Sequence, residues 1–509
     1  MPSQDLQRQP LTAGIVGAGI AGLSAAVALR RAGFEVSVYE RSQFKNEIGA
    51  AISTPPNASI ALRRWGFDFA AAGAVPNLST RYANAKELDT TFETEYLDIE
   101  TQMGAPSLSF HRVDLHRGLR QLATEDVGLE DAERGGRSRR WRRGKGTPVE
   151  ICLGCEVQSV DCEKGILALG DGRQEQKDLV IIADGAHSKL LADFLGYQAP
   201  LQPTGRSIYR WLVSMDEVMA DPKLAEQYRD KPTGFLGWSD PEKRILWVNY
   251  TCRGGSMLNN AVVHDTENQA SQQSASDKGK GSLSPDVRNG GADPEGENEN
   301  DMFWHAPATK KAVLETLSNF HPAAQSIVSM ASEDGIRVHR LYKREPLKSF
   351  VRGRTAVIGD AAHLMLPTHA AGCAIAIESA SVLEMLFMDL ERDILGEEVN
   401  FWLEDDDGMN SGKERVIRRR LELFNKLRIP RCNLTMIASN AGPEWLHVPD
   451  VKEEIRKFYQ GPLPPVGDLP WSDEFREVLF HYDAFAAAKQ ALWDGRMKWV
   501  RRPNWDLGA

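Results

Sequence analysis

The chain has 509 residues, 42% of them hydrophobic and 26% charged, with a formal net charge of −10. That length exceeds a single hydrophobic core and predicts two or three domains. The acidic balance removes the electrostatic case for nucleic acid or anionic membrane as the main partner. Residues 11–29 are the most apolar run but carry glycines that fit a strand–helix turn, and no other run approaches the roughly 18 apolar residues of a membrane span. The opening MPSQDLQRQP lacks the charged-then-apolar pattern of a secretion signal, so a cytoplasmic protein is expected.

Residues 11–41 read as an apolar strand, a glycine turn, an amphipathic helix and a second strand ending in an acid. Gly17 permits the tight turn, Gly19 lets backbone approach a pyrophosphate, and Gly22 lets the helix sit close to the sheet. Glu40 ends the second strand, where a carboxylate accepts hydrogen bonds from ribose hydroxyls. A glycine turn alone is common, but strand, helix and terminal acid together point to an adenine dinucleotide.

Residues 49–67 then form a loop and helix, with Pro55 and Pro56 stiffening the approach and Asn57 as cap. Residues 90–110 are polar and turn-rich, consistent with strands of another layer, and 110–123 give an amphipathic helix. The basic run at 129–146 reads as a solvated loop rather than a nucleic-acid patch. Strands follow at 148–160 and 165–170. Cys152 and Cys155 form a CxxC within strand-like alternation, which points positions three apart to opposite faces. Buried apolar cysteines are therefore expected there, rather than a metal or redox pair.

Residues 178–190 predict a fully apolar strand running into Asp184–Gly185 and a new helix. Strands at 204–214 and 244–250 are rich in aromatic and β-branched residues, whereas 264–301 lacks the apolar content to bury a core and reads as disordered. The basic loop, this segment and 404–414 are insertions of a kind tolerated at a surface. A helix at 309–320 precedes a third apolar strand that ends at Gly359–Asp360, and a long helix starts near Gly372. The remainder is mainly helical, with Trp471, Trp493, Trp499 and Trp505 as packing anchors.

Three apolar strands thus end in polar turns: GAGIAG at 17–22, ADG at 183–185 and IGD at 358–360. In one parallel sheet such turns gather at the carboxyl edge, where a ligand lies across them. With HRVDL at 111–115 and YTCRGG at 250–255, the chain resembles the FAD-dependent aromatic hydroxylases, the group A flavoprotein monooxygenases, and especially their salicylate-hydroxylase-like members. The resemblance implies an α/β fold (α+β overall): a glutathione-reductase-type Rossmann FAD-binding domain, an inserted β-sheet substrate domain and a C-terminal helical region. The expected limits are 11–80, 105–200 and 340–395 for the first, 81–104 and 201–339 for the second, and 396–509 for the third.

The same resemblance implies FAD as cofactor and NADPH or NADH as transient co-substrate, in keeping with a single GxGxxG. The implied reaction uses O2 to hydroxylate a phenolic or polyketide-like aromatic small molecule through a flavin C4a-hydroperoxide. Carried over, Gly17, Gly19, Gly22, Glu40 and Arg41 serve the adenosine and pyrophosphate, with Ala51 and Arg112 nearer the flavin. Asp184 belongs to the motif linked to FAD and NAD(P)H, Asp360 meets the ribityl chain, and Gly372 and Cys373 open the helix facing the pyrimidine. Arg210 and Tyr250, on strands of the substrate sheet, are candidates for stabilising a phenolate; an ordinary sheet role competes for each. An exposed helix arginine is the plain alternative for Arg112, and helix capping for Asp184 and Asp360.

The third motif departs from the family's GDAAHPxLP pattern: Leu364 stands at the first proline, and Thr368 to Ala374 replace a glycine–glutamine–glycine stretch. Loss of the proline loosens the loop, and His369 reads as a solvent-facing loop residue or as a new polar group at the flavin. A flavin epoxidase or oxidative cyclase, and an FAD-binding protein without hydroxylase activity, are the alternative functions.

Overall fold

The computed structural model describes residues 10–44, 50–125, 146–266, 305–388, 390, 412–442, 447–465 and 471–500. The basic run at 129–145, most of 264–301, and 404–411 lie outside these, as does Trp505.

In chain order the first elements are β1 (Thr12–Val16), α1 (Ile20–Arg31), β2 (Glu35–Glu40), β3 (Ala51–Thr54) and α2 (Pro56–Trp65). Next come β4 (Val75–Pro76), β5 (Ser79–Asn84), β6 (Thr90–Glu95), α3 (Ile99–Met103), β7 (Leu108–His111) and α4 (Arg112–Thr124). The middle of the chain forms β8 (Glu150–Leu153), β9 (Val157–Asp161), β10 (Ile166–Leu169), β11 (Gln174–Gln176), β12 (Leu179–Ile182) and α5 (Leu191–Leu195). Then follow β13 (Gln202–Ser214), α6 (Met215–Ala220), α7 (Pro222–Tyr228), β14 (Gly234–Asp240), β15 (Ile245–Cys252) and β16 (Met257–Asp265). After these lie β17 (His305–Pro307), α8 (Lys310–Thr316), α9 (Pro322–Met330), β18 (Arg337–Lys343), β19 (Val351–Arg352), β20 (Thr355–Val357) and α10 (Asp360–His363). The C-terminal part is α11 (Gly372–Phe387), α12 (Gly412–Ala441), α13 (Pro449–Arg456), α14 (Asp473–Phe480) and α15 (Ala484–Val500).

A six-stranded sheet in the order β19-β20-β12-β1-β2-β8 is parallel except at β19. β1 and β12 carry almost only Val, Ile, Leu, Ala and Gly because both faces are covered, one by α1 and the other by the antiparallel sheet β11-β10-β9, whose Leu167 reaches Gly14, so the near-continuous apolar runs are what a buried parallel strand requires. Its three loop-forming ends, after Val16, Ile182 and Val357, therefore lie side by side at one edge.

The second large sheet has eight strands, β17-β18-β13-β16-β15-β14-β5-β6. Its faces separate by the two-residue period of a strand. Tyr209, Val262, Trp247, Trp238 and Ala83 are directly paired in register and buried in one core with Val313, Leu317, Ile327 and Val328 of the α8–α9 region. The alternate row, Arg210, Ala261, Val248, Gly237 and Tyr82, points the other way. On that same face Tyr250 donates its hydroxyl to Ala51 O at 3.0 Å, and its partner Asn259 accepts from Ala51 N–H at 2.9 Å. The second face therefore looks onto β3.

Helix α11 is buried along most of its length, and two acids on it are held by cations and N–H donors from three other helices. Glu378 meets Arg428 at 2.8 Å, Arg431 at 2.9 Å and the Asn57 amide at 2.6 Å. Glu384 meets Arg31 at 3.2 Å and the Trp65 indole N–H at 2.6 Å. Two sequence expectations are corrected by this packing. Asn57 is not the cap of α2, whose N-cap is Pro55, but a buried partner of Glu378. Trp471 is buried as an anchor requires, whereas Trp493 is 60% exposed.

Candidate active site

The first turn is fixed by contacts that a side chain would destroy. Gly17 has φ +98°, and a Cβ there would stand 2.5 Å from Ala183 O; a Cβ at Gly22 would stand 1.9 Å from Gly17 O. Gly19 differs: a Cβ there meets nothing within 4 Å, so the space over the N-terminus of α1 is open. Glu40 holds this turn, accepting from Ala18 N–H at 2.7 Å and Ser42 N–H at 2.8 Å. The His116 ring, from α4, lies 2.8 Å from Ala18 O. A cleft of about 230 Å³ runs past Gly17, Gly19, Glu40, Arg41, Asp184 and Lys189.

The second turn is longer than expected. After β12 the chain stays irregular until α5 begins at Leu191 with Leu190 as N-cap, so Asp184 caps no helix. Its Oδ1 is buried without a hydrogen-bond partner, and burial raises the carboxyl above its usual range. The third turn places Asp360 at the start of α10, with Gly359 (φ +65°) as N-cap. Asp360 carries accessible surface yet sits deep in the fold, so that surface faces an interior cleft. Burial raises its pKa, and the charges of Arg112 and Arg344 oppose the rise.

Arg344 has no counterpart among the sequence candidates. It is 4% exposed and donates to Ala186 O at 2.8 Å, Ala361 O at 3.0 Å, Asp360 O at 3.3 Å and Ala199 O at 3.2 Å. One guanidinium thus ties the second turn to the third. The signal for it is slight: a basic YKRE stretch at the end of β18.

Several of the remaining candidates lie near one another. Arg112, at the first position of α4, influences the titration of Asp360, Cys373 and Arg210, which brings three distant segments together. Arg210 is half-buried, with Nε lacking a partner; desolvation lowers its pKa and neighbouring Tyr250 counteracts that. Burial pushes the Tyr250 phenol up, with Arg210 pulling it back. Cys373, second residue of α11, is pushed up to about 12 by burial, so it is a neutral thiol. Gly372 opens α11, whose unpaired N–H groups make its N-terminus a positive end. Ala51 offers no free backbone polar group, both being taken by Asn259 and Tyr250. Arg41 is exposed at the rim.

Two further expectations are overturned. His369 is 1% exposed, not solvent-facing; Nδ1 lies 3.2 Å from Ser439 Oγ and the ring packs edge-on to Phe475 at 5.0 Å. The loop that lost its proline is tied instead to α12, through Leu366 N–H to Asn440 Oδ1 at 2.9 Å and Thr368 Oγ1 to Ser439 O at 2.8 Å. The CxxC also departs from strand alternation. β8 stops at Leu153, Gly154 turns with φ +72°, and Cys155 comes back to form a disulfide with Cys152. Cys155 lines the same cleft as Glu40.

Residues 15–75 match the model of an NAD(P)-binding Rossmann-like domain. The chain is 29% identical over 489 residues to the FAD-dependent monooxygenase cfoG of Aspergillus candidus, covering 94% of each chain. It is 28% identical over 381 residues to hispidin-3-hydroxylase of Neonothopanus nambi, covering 73% of this chain and 79% of the relative. A salicylate hydroxylase substrate complex superposes with a TM-score of 0.62 at 20% identity, over 95% of this chain and 98% of that one. CtdE, in complex with FAD and a substrate, gives 0.63 at 18% identity over 96% and 100%. With three strand-end turns brought to one sheet edge and a monooxygenase relative matched along 94% of its length, the chain is an FAD-dependent monooxygenase similar to the FAD-dependent aromatic hydroxylases.

Proposed function

We propose that the protein hydroxylates an aromatic small molecule bearing an acidic group, a phenol or carboxylic acid, consuming NAD(P)H and O2. The observation that carries this reading is the mutual proximity of Arg210, Tyr250, Arg112, Asp360 and Cys373, with Arg210 and Asp360 keeping accessible surface.

The residues present fit FAD. The open space over Gly19 suits a pyrophosphate at the N-terminus of α1, where backbone N–H groups and the helix dipole favour an anion. Glu40 keeps acceptor capacity for ribose hydroxyls beyond its two backbone bonds. The unpartnered Asp184 oxygen and the accessible Asp360 are acceptors awaiting donors, as a polyol chain supplies. Bound FAD would supply the redox and oxygen-transfer chemistry.

The chain's own residues do the rest. Arg112 and the N-terminus of α11 set a positive potential at the inner end of the cleft, favouring negative charge on a reduced ring. Arg210, whose Nε has no hydrogen-bond partner, offers its guanidinium to an anionic substrate group and so lowers the cost of a phenolate. Tyr250, fixed by its bond to Ala51 O, holds the substrate sheet against β3 and keeps Arg210 aimed at the cleft.

The test is turnover by FAD-loaded protein over a panel of hydroxybenzoic and hydroxynaphthoic acids. Reductant oxidation that rises with an acidic phenol, and falls at least tenfold in kcat/KM in Arg210→Ala, supports the reading. Stimulation by neutral arenes only, or an Arg210→Ala enzyme with unchanged kcat/KM, contradicts it.

A further inference from the structure

The inward row of the eight-stranded sheet is an unusual floor. Arg210, Ala261, Val248, Gly237 and Tyr82 follow one another in register across five strands. Neighbouring strands stand about 4.8 Å apart, so Arg210 and Tyr82 are about 19 Å from each other. Between them lie one methyl, one isopropyl and one bare backbone. Gly237 is required there, since a Cβ would stand 2.6 Å from the Tyr82 ring. Arg210, Ala261, Val248 and Tyr82 are half-buried, whereas the outward row is fully buried, so the floor borders open space.

That space does not run the full length of the row. Trp471, from the segment between α13 and α14, comes over its far half. Its ring centroid lies 5.4 Å from Phe235, and Phe235 lies 5.0 Å from Tyr250. Its indole N–H hydrogen-bonds the Tyr82 hydroxyl. Phe235 and Tyr250 each stand two residues from a floor position, on the same face, so the indole crosses the row near Gly237. Trp471 holds φ +69°, a conformation that a bulky side chain keeps only when its neighbours impose it. Arg476 imposes it by donating to the Trp471 carbonyl, and Phe475 and Phe480 pack at 5.8 and 5.5 Å.

We propose that Trp471 is a specificity-determining residue: it ends the substrate trough about three strand spacings, or about 14 Å, from Arg210, a span that van der Waals contact at both ends shortens to about 8 Å, and so limits substrate length. A one- or two-ring aromatic acid fits lengthwise between the guanidinium and the indole; a three-ring one does not. The inference rests on the reading of this cleft as the substrate site with Arg210 as anchor.

The test uses full-length, FAD-loaded protein and hydroxyaryl carboxylic acids of one, two and three rings in line. Kd is read from the change in flavin absorbance, and kcat/KM from substrate-stimulated NAD(P)H oxidation. The wild type binds the one- and two-ring acids at least tenfold tighter than the three-ring acid. Trp471→Ala gains at least tenfold for the three-ring acid and changes less than threefold for the one-ring acid, with FAD affinity also within threefold. Trp471→Phe shifts in the same direction by less and decides the matter if the alanine variant loses FAD. An unchanged length profile in a variant that keeps FAD and the one-ring acid overturns the inference alone. Absence of any acid-dependent spectral change in the wild type overturns both it and the underlying reading.

Discussion

Gly19→Ala separates ligand binding from folding at the first turn. Gly19 has φ −69° and ψ −177°, which alanine adopts without strain, and the added methyl meets no protein atom within 4 Å. Loss of unfolded-state entropy stabilises by about 0.4–1 kcal/mol, and a poorer N-cap costs a similar amount. The ligand-free protein should therefore keep its stability to within about 1 kcal/mol. The methyl does occupy the space where a pyrophosphate would approach the helix N-terminus. Keeping the phosphates about 1.5 Å further away breaks two charge-assisted hydrogen bonds, at about 1.5–3 kcal/mol each. FAD affinity should fall by at least about 3 kcal/mol, roughly 150-fold in Kd. Gly22→Ala is the contrasting control: its methyl would stand 1.9 Å from Gly17 O, so the fold itself is damaged. Chemical denaturation of apoprotein and FAD titration by fluorescence measure the two quantities. Wild-type FAD affinity in Gly19→Ala would refute the assignment of this turn to the pyrophosphate.

Glu378→Ala leaves Arg428 and Arg431 buried without their shared anion and should cost about 3–5 kcal/mol, read by denaturant unfolding. A loss under 1 kcal/mol would show that α11 is held by packing alone. Burial opposes ionisation of Glu378, but Arg431 and Arg428 more than offset it, and the carboxyl titrates below its usual range. Its stabilisation is present above the unfolded pKa and lost as pH falls through the folded one. Acidification acts earlier through His363 and His369, both pushed down to about 3 by burial. Each stays neutral in the native state while the unfolded chain takes up a proton near pH 6.5, so each removes about 1.4 kcal/mol at pH 5.5. His369→Asn should flatten the fall in stability between pH 7 and 5.5; an unchanged slope would contradict the burial of this ring. For the cysteines, denatured, unreduced protein should titrate four thiols and reduced protein six, given the Cys152–Cys155 bond. Reduction should cost no more than about 2 kcal/mol, because the closed loop is so short.

What the sequence disclosed depended on how local each signal was. The GAGIAG, ADG and IGD turns were legible because each is a strand end followed by a sharp turn, written within a dozen residues. The two faces of β13 to β16 were not assigned in advance, since alternation alone does not say which face meets helices and which meets the cleft. Arg344 and Trp471 were missed as site residues for a related reason. Arg344 acts on carbonyls 158 and 17 residues away, and Trp471 on Phe235 and Tyr82 from far along the chain. His369 was misplaced because what buries it, Ser439 and Phe475, arrives from helices with no sequence mark of that contact. The CxxC failed as a strand argument through one residue, Gly154, whose positive φ ends the alternation.

The most direct test of the central claim is turnover under ¹⁸O2 with FAD, NAD(P)H and an acidic phenol, followed by mass spectrometry of the product. The account predicts that one labelled oxygen atom enters the ring for each product formed, and that Arg210→Ala lowers product without lowering bound FAD. Reductant oxidation that yields no labelled product with any acidic phenol, or label in the product that is unaffected by Arg210→Ala, would contradict it.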